Sequence, residues 1–409
     1  MKIALTTIGS RGDIQPFIAL GIELQKQGHS TAILTHPWAK NVVNFYGLTH
    51  IPVGDDIDIN DAAKQFMENS SNNLKGFKFA LSFIFSRLRN CHKDFLSGLI
   101  DFDLVVGHGI VGKAEANMLE KPFITISIET MGLQKEYWKT RNIIRETGLF
   151  LSDKLMGAIF GKPYMKFRKD IGAPPINKKD KYPYLAIVPI PLFLQKPHHA
   201  WKEKTELTGF LFAEAPIEFV PPDDLTEFIN RGKKPILVTF GSMFHDHDQT
   251  LELFNVICDA LAKSASRAIL IMPDLKDADI EIPENIFLSD QVPYSWLLKQ
   301  VILVVHHFGF GTTAEVLKAG LPSIPIPHIF DQKIRASKIC KMGYAHKPLL
   351  IHKITGDILA NAIINVKNNP ELRKRCQDAA KDVARENGGK WAVDLIIKYI
   401  SKLPANKIL

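Results

Sequence analysis

VILVVHHFGFGTTAEVLKAGLPSIPIPHIFDQ, residues 301 to 332, is the stretch from which the fold is read. Val301 to Val305 form an all-apolar run of the kind buried on both faces of a parallel sheet, and it stops at two histidines. Gly309, Gly311, Thr312 and Thr313 then combine small side chains with hydroxyls. Ala314 to Ala319 read as helix, ending at Gly320 with Pro322 just beyond. Strand, tight turn and helix N-terminus follow in that order. Such a terminus presents unpaired N–H groups and a partial positive charge, which suit an anion such as phosphate. Glycine-rich turns of this kind occur in many α/β proteins, so the neighbouring residues narrow the reading. His307 stands where a ring N–H can reach a diphosphate, and Glu315 lies one helical turn further in. Asp331 and Gln332 follow a second apolar segment that ends in a loop. Together these groups can hold phosphate, ribose and a hydroxyl-rich moiety.

Working outward, the N-terminus repeats the pattern. Lys2 to Thr6 read as a strand, Ile8 to Pro16 as a loop, Pro16 to Gln27 as a helix closed by Gly28, and Ser30 to Thr35 as a second strand. This is a βαβ unit, and its first loop belongs at the carboxyl ends of the strands, where open α/β sheets bind ligands. The spacing Gly-Ser-Arg-Gly-Asp at 9 to 13 lacks the third glycine of the dinucleotide fingerprint, which disfavours NAD. Asp13 has two readings from spacing alone: a cap for the helix near Pro16, or a carboxylate that takes a proton from an alcohol.

The segment 301 to 332 resembles the donor-binding signature of family 1 glycosyltransferases, the UDP-glycosyltransferase superfamily. It is most similar to the branch with sterol glucosyltransferases and antibiotic glycosyltransferases, and GSRGDIQPFIALGIELQKQGH at 9 to 29 resembles that branch's N-terminal motif. The resemblance implies an α/β protein of GT-B fold, two Rossmann-like domains facing a cleft with a C-terminal helix crossing back to the first. It implies His307 on the donor diphosphate, with Gly309, Gly311, Thr312 and Thr313 supplying amide or hydroxyl contacts. Glu315 would bind ribose hydroxyls, and Asp331 with Gln332 the hydroxyls of the transferred sugar. Asp13 is implied as general base, beside Ser10, Arg11 and Gly12 on the substrate side. One departure is visible: the branch usually carries glycine where this chain has Phe308.

The second half restarts the pattern: Pro235 to Phe240 as strand, Gly241-Ser242-Met243 as turn, Leu251 to Lys263 as helix. By resemblance Gly241 and Ser242 also point toward the donor phosphates. In QVPYSWLL, residues 291 to 298, Val292 or Trp296 marks where the family holds the nucleotide base; Trp296 reads equally well as core. EAPIEFVPPDDL, 214 to 225, reads as a linker. The expected domains are 1–215 for the acceptor, 216–385 for the nucleotide-sugar donor, and 386–409 as a helix packing back on the first.

Composition sets the bounds. At 409 residues, 46% hydrophobic and 23% charged, the chain is long enough for two cores. The four cysteines lack metal-type spacing, which fits free thiols in a reducing cytoplasm. Arg11 and Asp13 interrupt any signal core, and no run reaches the length of a membrane span. The expected location is cytoplasmic, with peripheral contact at the inner face of an anionic membrane. The formal charge of +8 favours an anionic partner, and no nucleic-acid motif is present. Leu74, Phe77, Leu81, Ile84 and Leu88 recur at helical spacing in a stretch rich in lysine and arginine. That stripe reads as a membrane-facing helix, the lining of a pocket for a greasy acceptor, or a core helix. Lys162 to Lys181 is a second basic cluster, read as solvated surface. His108 and Glu129, near strand ends, read either as facing the cleft or as structural; lone residues of this sort are more often structural, so neither is taken as a site residue. Asp-x-Asp triplets of the manganese-binding type occur as Asp56/Asp58, Asp246/Asp248 and Asp277/Asp279, all in polar loops. His307 and the helix termini can already offset a leaving diphosphate, so no metal and no cofactor is expected. The implied reaction is inverting transfer of a hexose from UDP-glucose, as co-substrate, to a hydroxyl of a lipophilic acceptor. A nucleotide-sugar epimerase and a non-catalytic nucleotide- or lipid-binding module are the alternatives.

Overall fold

The computed structural model describes residues 1–56, 74–128, 161–176, 185–197, 205–215, 217–241, 247–272, 275 and 280–402. Among these the chain forms two compact units. One holds the positions before 217 and those from Glu386 onward; the other runs from Ile217 to Arg385.

The first unit is built on a parallel sheet of β1 (Lys2–Thr6), β2 (Ser30–Thr35), β3 (Thr49–Pro52), β4 (Leu104–His108), β5 (Phe123–Ile126), β6 (Ala186–Val188) and β7 (Thr205–Leu207). Its order is β3-β2-β1-β4-β5-β6-β7. Along β1 the side chains alternate between two cores, as a pleated strand requires. Ile3 and Leu5 meet Ile14, Phe17 and Ile18 of α1 (Arg11–Lys26), while Ala4 meets Leu81, Phe85, Leu88 and Phe95 of α2 (Leu74–Gly98). The apolar stripe of α2 is therefore core from Leu81 onward, which corrects its reading as a membrane or pocket face over those residues. Its register also differs: Cys91 and Phe95 continue the buried line, whereas Ile84 is 41% exposed. A short helix, α3 (Lys113–Met118), follows β4.

In the second unit β8 (Ile236–Thr239), β9 (Ala268–Ile271), β10 (Ile286–Leu288), β11 (Val304–His306) and β12 (Ser323–Pro325) pair in parallel, in the order β10-β9-β8-β11-β12. Besides two short helices at Asp223–Asn230 and Tyr294–Leu297, its helices are α4 (His247–Lys263), α5 (Phe310–Lys318), α6 (Phe330–Lys341), α7 (Gly356–Lys367) and α8 (Pro370–Arg385). The last helix, α9 (Gly388–Ile400), belongs to the first unit: Ala392, Val393, Ile396 and Ile400 enter the core that holds Ile3 and Phe17. Its start needs glycine, because a Cβ on Gly388 would lie 2.4 Å from the Phe210 carbonyl oxygen.

Both sheets run outward from a middle strand to one side and then restart on the other. The reversal falls between β1 and β4, and again between β8 and β11. Crevices open at the carboxyl ends of strands at such reversals. Several element boundaries at and after these strands differ from the sequence reading, among them the start of α4 at His247 rather than Leu251. Helix α1 begins at Arg11, so Pro16 sits inside it; a capping box at Ser10 and Asp13 starts the helix upstream of the proline. Helix α5 begins at Phe310 rather than Ala314, with Gly309 as its cap, and β11 spans only Val304–His306.

Candidate functional site

At the reversal point of the first unit, Asp13 follows β1 and His108 ends β4. Gly9, at φ +132°, turns the chain so that the carboxylate of Asp13 folds back over the helix cap; a Cβ there would stand 2.5 Å from Asp13 Oδ2. That oxygen accepts hydrogen bonds from the Ser10 amide at 2.8 Å and the Ser10 hydroxyl at 2.9 Å. The other oxygen, Oδ1, lies 3.9 Å from Nδ1 of His108. This is proximity without a hydrogen bond. Burial lowers the pKa of the His108 imidazole, against the pull of the Asp13 charge, and the ring lies 5.9 Å from that of Phe17. The pair therefore stands at neutral pH as a neutral imidazole beside Asp13. Asp13 therefore caps α1 through Oδ2, while Oδ1 lies toward His108. Ser10 is the N-cap, Gly12 is half-buried in the first turn, and Arg11 is exposed.

In the second unit Gly241 follows β8 and His307 follows β11. The register pairs Thr239 with His306, which sets the two loops side by side. Gly241, at φ +64°, has no room for a side chain, since a Cβ would meet Cε1 of His307 at 2.7 Å. A Cβ on Gly309 would meet Nε2 of the same ring at 2.4 Å. The imidazole is thus wedged between two glycines at the start of α5. Gly311, in the first turn of that helix, has no described atom within 4 Å of the place a Cβ would take, so the turn is open there. Burial pushes the His307 pKa down to about 4, with the backbone of Thr239 pulling it up. At neutral pH the ring is uncharged and carries a single N–H. Thr313 is buried and its hydroxyl donates to the Gly309 carbonyl at 2.8 Å, so it secures the turn; Thr312 is half-buried.

Phe308 takes the place where the related branch has glycine, and its backbone shows why glycine suits it: φ is +65°. A phenylalanine there costs about 1–2 kcal/mol. The strain is offset by burial, for the ring is fully buried and stacks on His306 at 4.3 Å and 20°. The Phe308 amide donates to Nδ1 of His306 at 3.3 Å, and its carbonyl accepts from Nη1 of Arg335 at 2.5 Å.

Glu315 lies in the second turn of α5, where burial raises its carboxyl pKa and Lys318 pulls it down. Asp331 and Gln332 occupy the first turn of α6. Gln332 is 3% exposed and its Oε1 accepts from the amides of His328 and Ile329 at 2.9 and 3.3 Å, so that half of the amide is a helix cap. Asp331 Oδ2 lies 3.5 Å from Nη2 of Arg335. Val292 is buried in the core, and Trp296 packs edge-on against Phe219 at 5.4 Å. Ser242, Glu129, and the triplets at 246/248 and 277/279 fall wholly or partly outside the described residues, as does Asp58.

Two residues of these sites escape sequence reasoning. His108 is visible there only as a lone polar residue at a strand end. Arg335 carries only a weak signal, its spacing of one helical turn from Asp331.

The fold is shared with solved glycosyltransferases. The crystal structure of the glycotransferase of kitacinnamycin superposes with a TM-score of 0.74 over 97% of this chain and 98% of its own, at 20% identity. The structure is therefore a GT-B fold. Residues 3–102 match the glycosyltransferase family 28 N-terminal domain, and 255–394 match the erythromycin biosynthesis protein CIII-like C-terminal domain. The sterol 3-beta-glucosyltransferase of Saccharomyces cerevisiae (strain YJM789) is 27% identical across 97% of this chain. That match spans 35% of the yeast protein, so the chain corresponds to about a third of it. The O-mycaminosyltylonolide 6-deoxyallosyltransferase of Streptomyces fradiae is 26% identical over 98% of this chain and 97% of its own length. The two domain matches and the fold make the chain a glycosyltransferase of GT-B fold, similar in sequence to sterol and antibiotic glycosyltransferases over nearly all of its length.

Proposed function

We propose that the chain transfers a hexose with inversion from a nucleotide sugar, UDP-glucose, to a hydroxyl of a lipophilic acceptor such as a sterol, lipid, terpenoid or polyketide. The observation that carries this reading is the wedged ring of His307 at the open first turn of α5. A neutral donor beside a helix N-terminus suits a diphosphate whose charge grows as it leaves. In the proposed reaction the acceptor oxygen attacks the anomeric carbon as the bond to the diphosphate breaks. Its proton passes to Oδ1 of Asp13, while Oδ2 stays with the Ser10 cap. His307, the α5 amides and Gly241 with Ser242 receive the phosphates. Glu315 takes the ribose, Trp296 or the backbone near Val292 holds the base, and Asp331 with Gln332 take the sugar hydroxyls. The nucleotide sugar serves as co-substrate, with no further cofactor. The acceptor class rests on the names of the relatives, one a sterol glucosyltransferase and one a deoxyallosyltransferase of an O-mycaminosyltylonolide.

The test is release of UDP from UDP-glucose, with and without a panel of sterols, lipids and polyketide or phenolic alcohols, with dTDP-glucose as a second donor. Acceptor-dependent release is expected, and Asp13→Asn should reduce it about 10²- to 10⁴-fold while UDP affinity stays within about two- to three-fold. Equal loss of transfer and UDP binding would make Asp13 structural only. Turnover of UDP-glucose without any alcohol would replace transfer by epimerisation.

A further inference from the structure

The cation nearest the proposed phosphate turn, among the described residues, lies on a different helix from the turn itself. Arg335 sits on α6, its side chain 12% exposed, and its guanidinium faces two groups that the proposed donor site uses separately. Nη1 donates to the carbonyl of Phe308 at 2.5 Å, and Nη2 lies 3.5 Å from Oδ2 of Asp331. The side chain also lies over the ring of Phe310, the first residue of α5, at 5.7 Å. Burial lowers its pKa to about 10, which still leaves it cationic at neutral pH. The facing carboxylate is at the long end of ion-pair distance and 35% exposed, so it compensates the buried charge weakly.

The carbonyl that Arg335 holds belongs to the one residue of the turn in a left-handed conformation without being glycine. A hydrogen bond on that oxygen fixes the orientation of the Phe308–Gly309 peptide. A charged donor on the oxygen also polarises the peptide, which makes the Gly309 N–H a stronger donor at the entry of α5. Phe308 and Asp331 are thereby joined through one rigid planar fork.

We propose that Arg335 is a positioning residue of the donor site, holding the Phe308–Gly309 peptide for the diphosphate and tying it to Asp331 so that phosphate and hexose recognition are coupled. The proposal rests on the donor-site reading given above. It is tested by calorimetric affinities for uridine, UDP and UDP-glucose in the wild type, Arg335→Met and Arg335→Lys. Uridine shares the base and ribose of UDP and lacks its phosphates. In Arg335→Met, UDP should weaken by at least about tenfold, the weight of one charge-assisted hydrogen bond, with uridine affinity unchanged. The extra affinity that UDP-glucose gains over UDP should shrink in the same variant. Arg335→Lys, which keeps the charge and one donor, should fall between the two and remains informative if Arg335→Met fails to fold. Unchanged UDP affinity in both variants would overturn the proposal, and so would parallel loss of uridine and UDP, which marks a merely structural role. A wild type that binds UDP no better than uridine would instead overturn the donor-site reading, and this inference with it.

Discussion

The carboxylate of Asp13 shows how one residue holds two places at once. Its Oδ2 closes the cap of α1 with Ser10, and the orientation this imposes leaves Oδ1 toward His108. Ser10→Ala removes one of the two bonds and should cost about 1 kcal/mol of stability. If the cap also aims Oδ1, kcat for transfer should fall while UDP affinity holds. A variant that loses stability with kcat unchanged would separate the cap from the chemistry. His307 gives a second prediction. Its pKa is 6.5 in an ordinary setting and about 4 in the fold, because burial disfavours the charged ring. Between those values the unfolded chain holds a proton that the folded chain does not. Stability is therefore full above pH 6.5 and declines as pH falls toward 4, by up to about 3 kcal/mol from this residue. His306, also buried and held neutral, acts in the same direction. Urea midpoints measured from pH 7 to 4.5 should fall for the wild type and fall less for His307→Gln. A pH-independent midpoint would contradict the buried, neutral state of these rings.

Helix α5 and the turn before it form the next scale. Gly309 has φ −59°, which any residue tolerates, so the need for glycine is steric and comes from the His307 ring at 2.4 Å from a would-be Cβ. Gly309→Ala should displace that ring without straining the backbone. UDP affinity should drop about tenfold, the loss of one good hydrogen bond, and Gly309→Ala added to His307→Ala should cost little more. Fully additive losses would mean that the ring and the glycine act apart. Helix α2 carries a different lesson. Phe85 is 5% exposed and packs against Tyr164 and Phe167, at 6.4 and 5.9 Å, so its aromatic weight serves the core. Phe85→Ala should destabilise the protein by about 3–5 kcal/mol in urea unfolding; a loss below about 1 kcal/mol would return that face to a binding role.

For the whole molecule, the chain order of the two units is broken by α9. Its buried face supplies Ala392, Val393, Ile396 and Ile400 to the core around β1 and α1, far from it in sequence. Ile396 is fully buried, and Ile396→Ala should cost about 2–5 kcal/mol. Removal of the chain from Asn387 onward should leave Ile3 and Phe17 with exposed apolar neighbours and yield protein that aggregates. Unaltered unfolding of the shortened chain would show that α9 is dispensable to that core.

The sequence by itself determined the parallel α/β architecture and the two glycine-bearing turns. Those features are local: apolar runs of strand length, small residues where a helix starts, and the spacing from His307 to Gln332. It also marked Asp13, as a choice between cap and base; the structure shows the cap, through the bonds from Ser10 to Oδ2. Tertiary structure decided what depends on residues distant in the chain. It set His108 beside Asp13 across β1 and β4, closed Gly241 onto His307 across β8 and β11, and brought Arg335 of α6 to the carbonyl of Phe308. It also turned the apolar line of α2 from Leu81 to Phe95 inward. Periodicity shows that a helix has an apolar face; whether that face meets a sheet, a ligand or a membrane depends on where the neighbouring layers pack, and a one-dimensional pattern does not contain that.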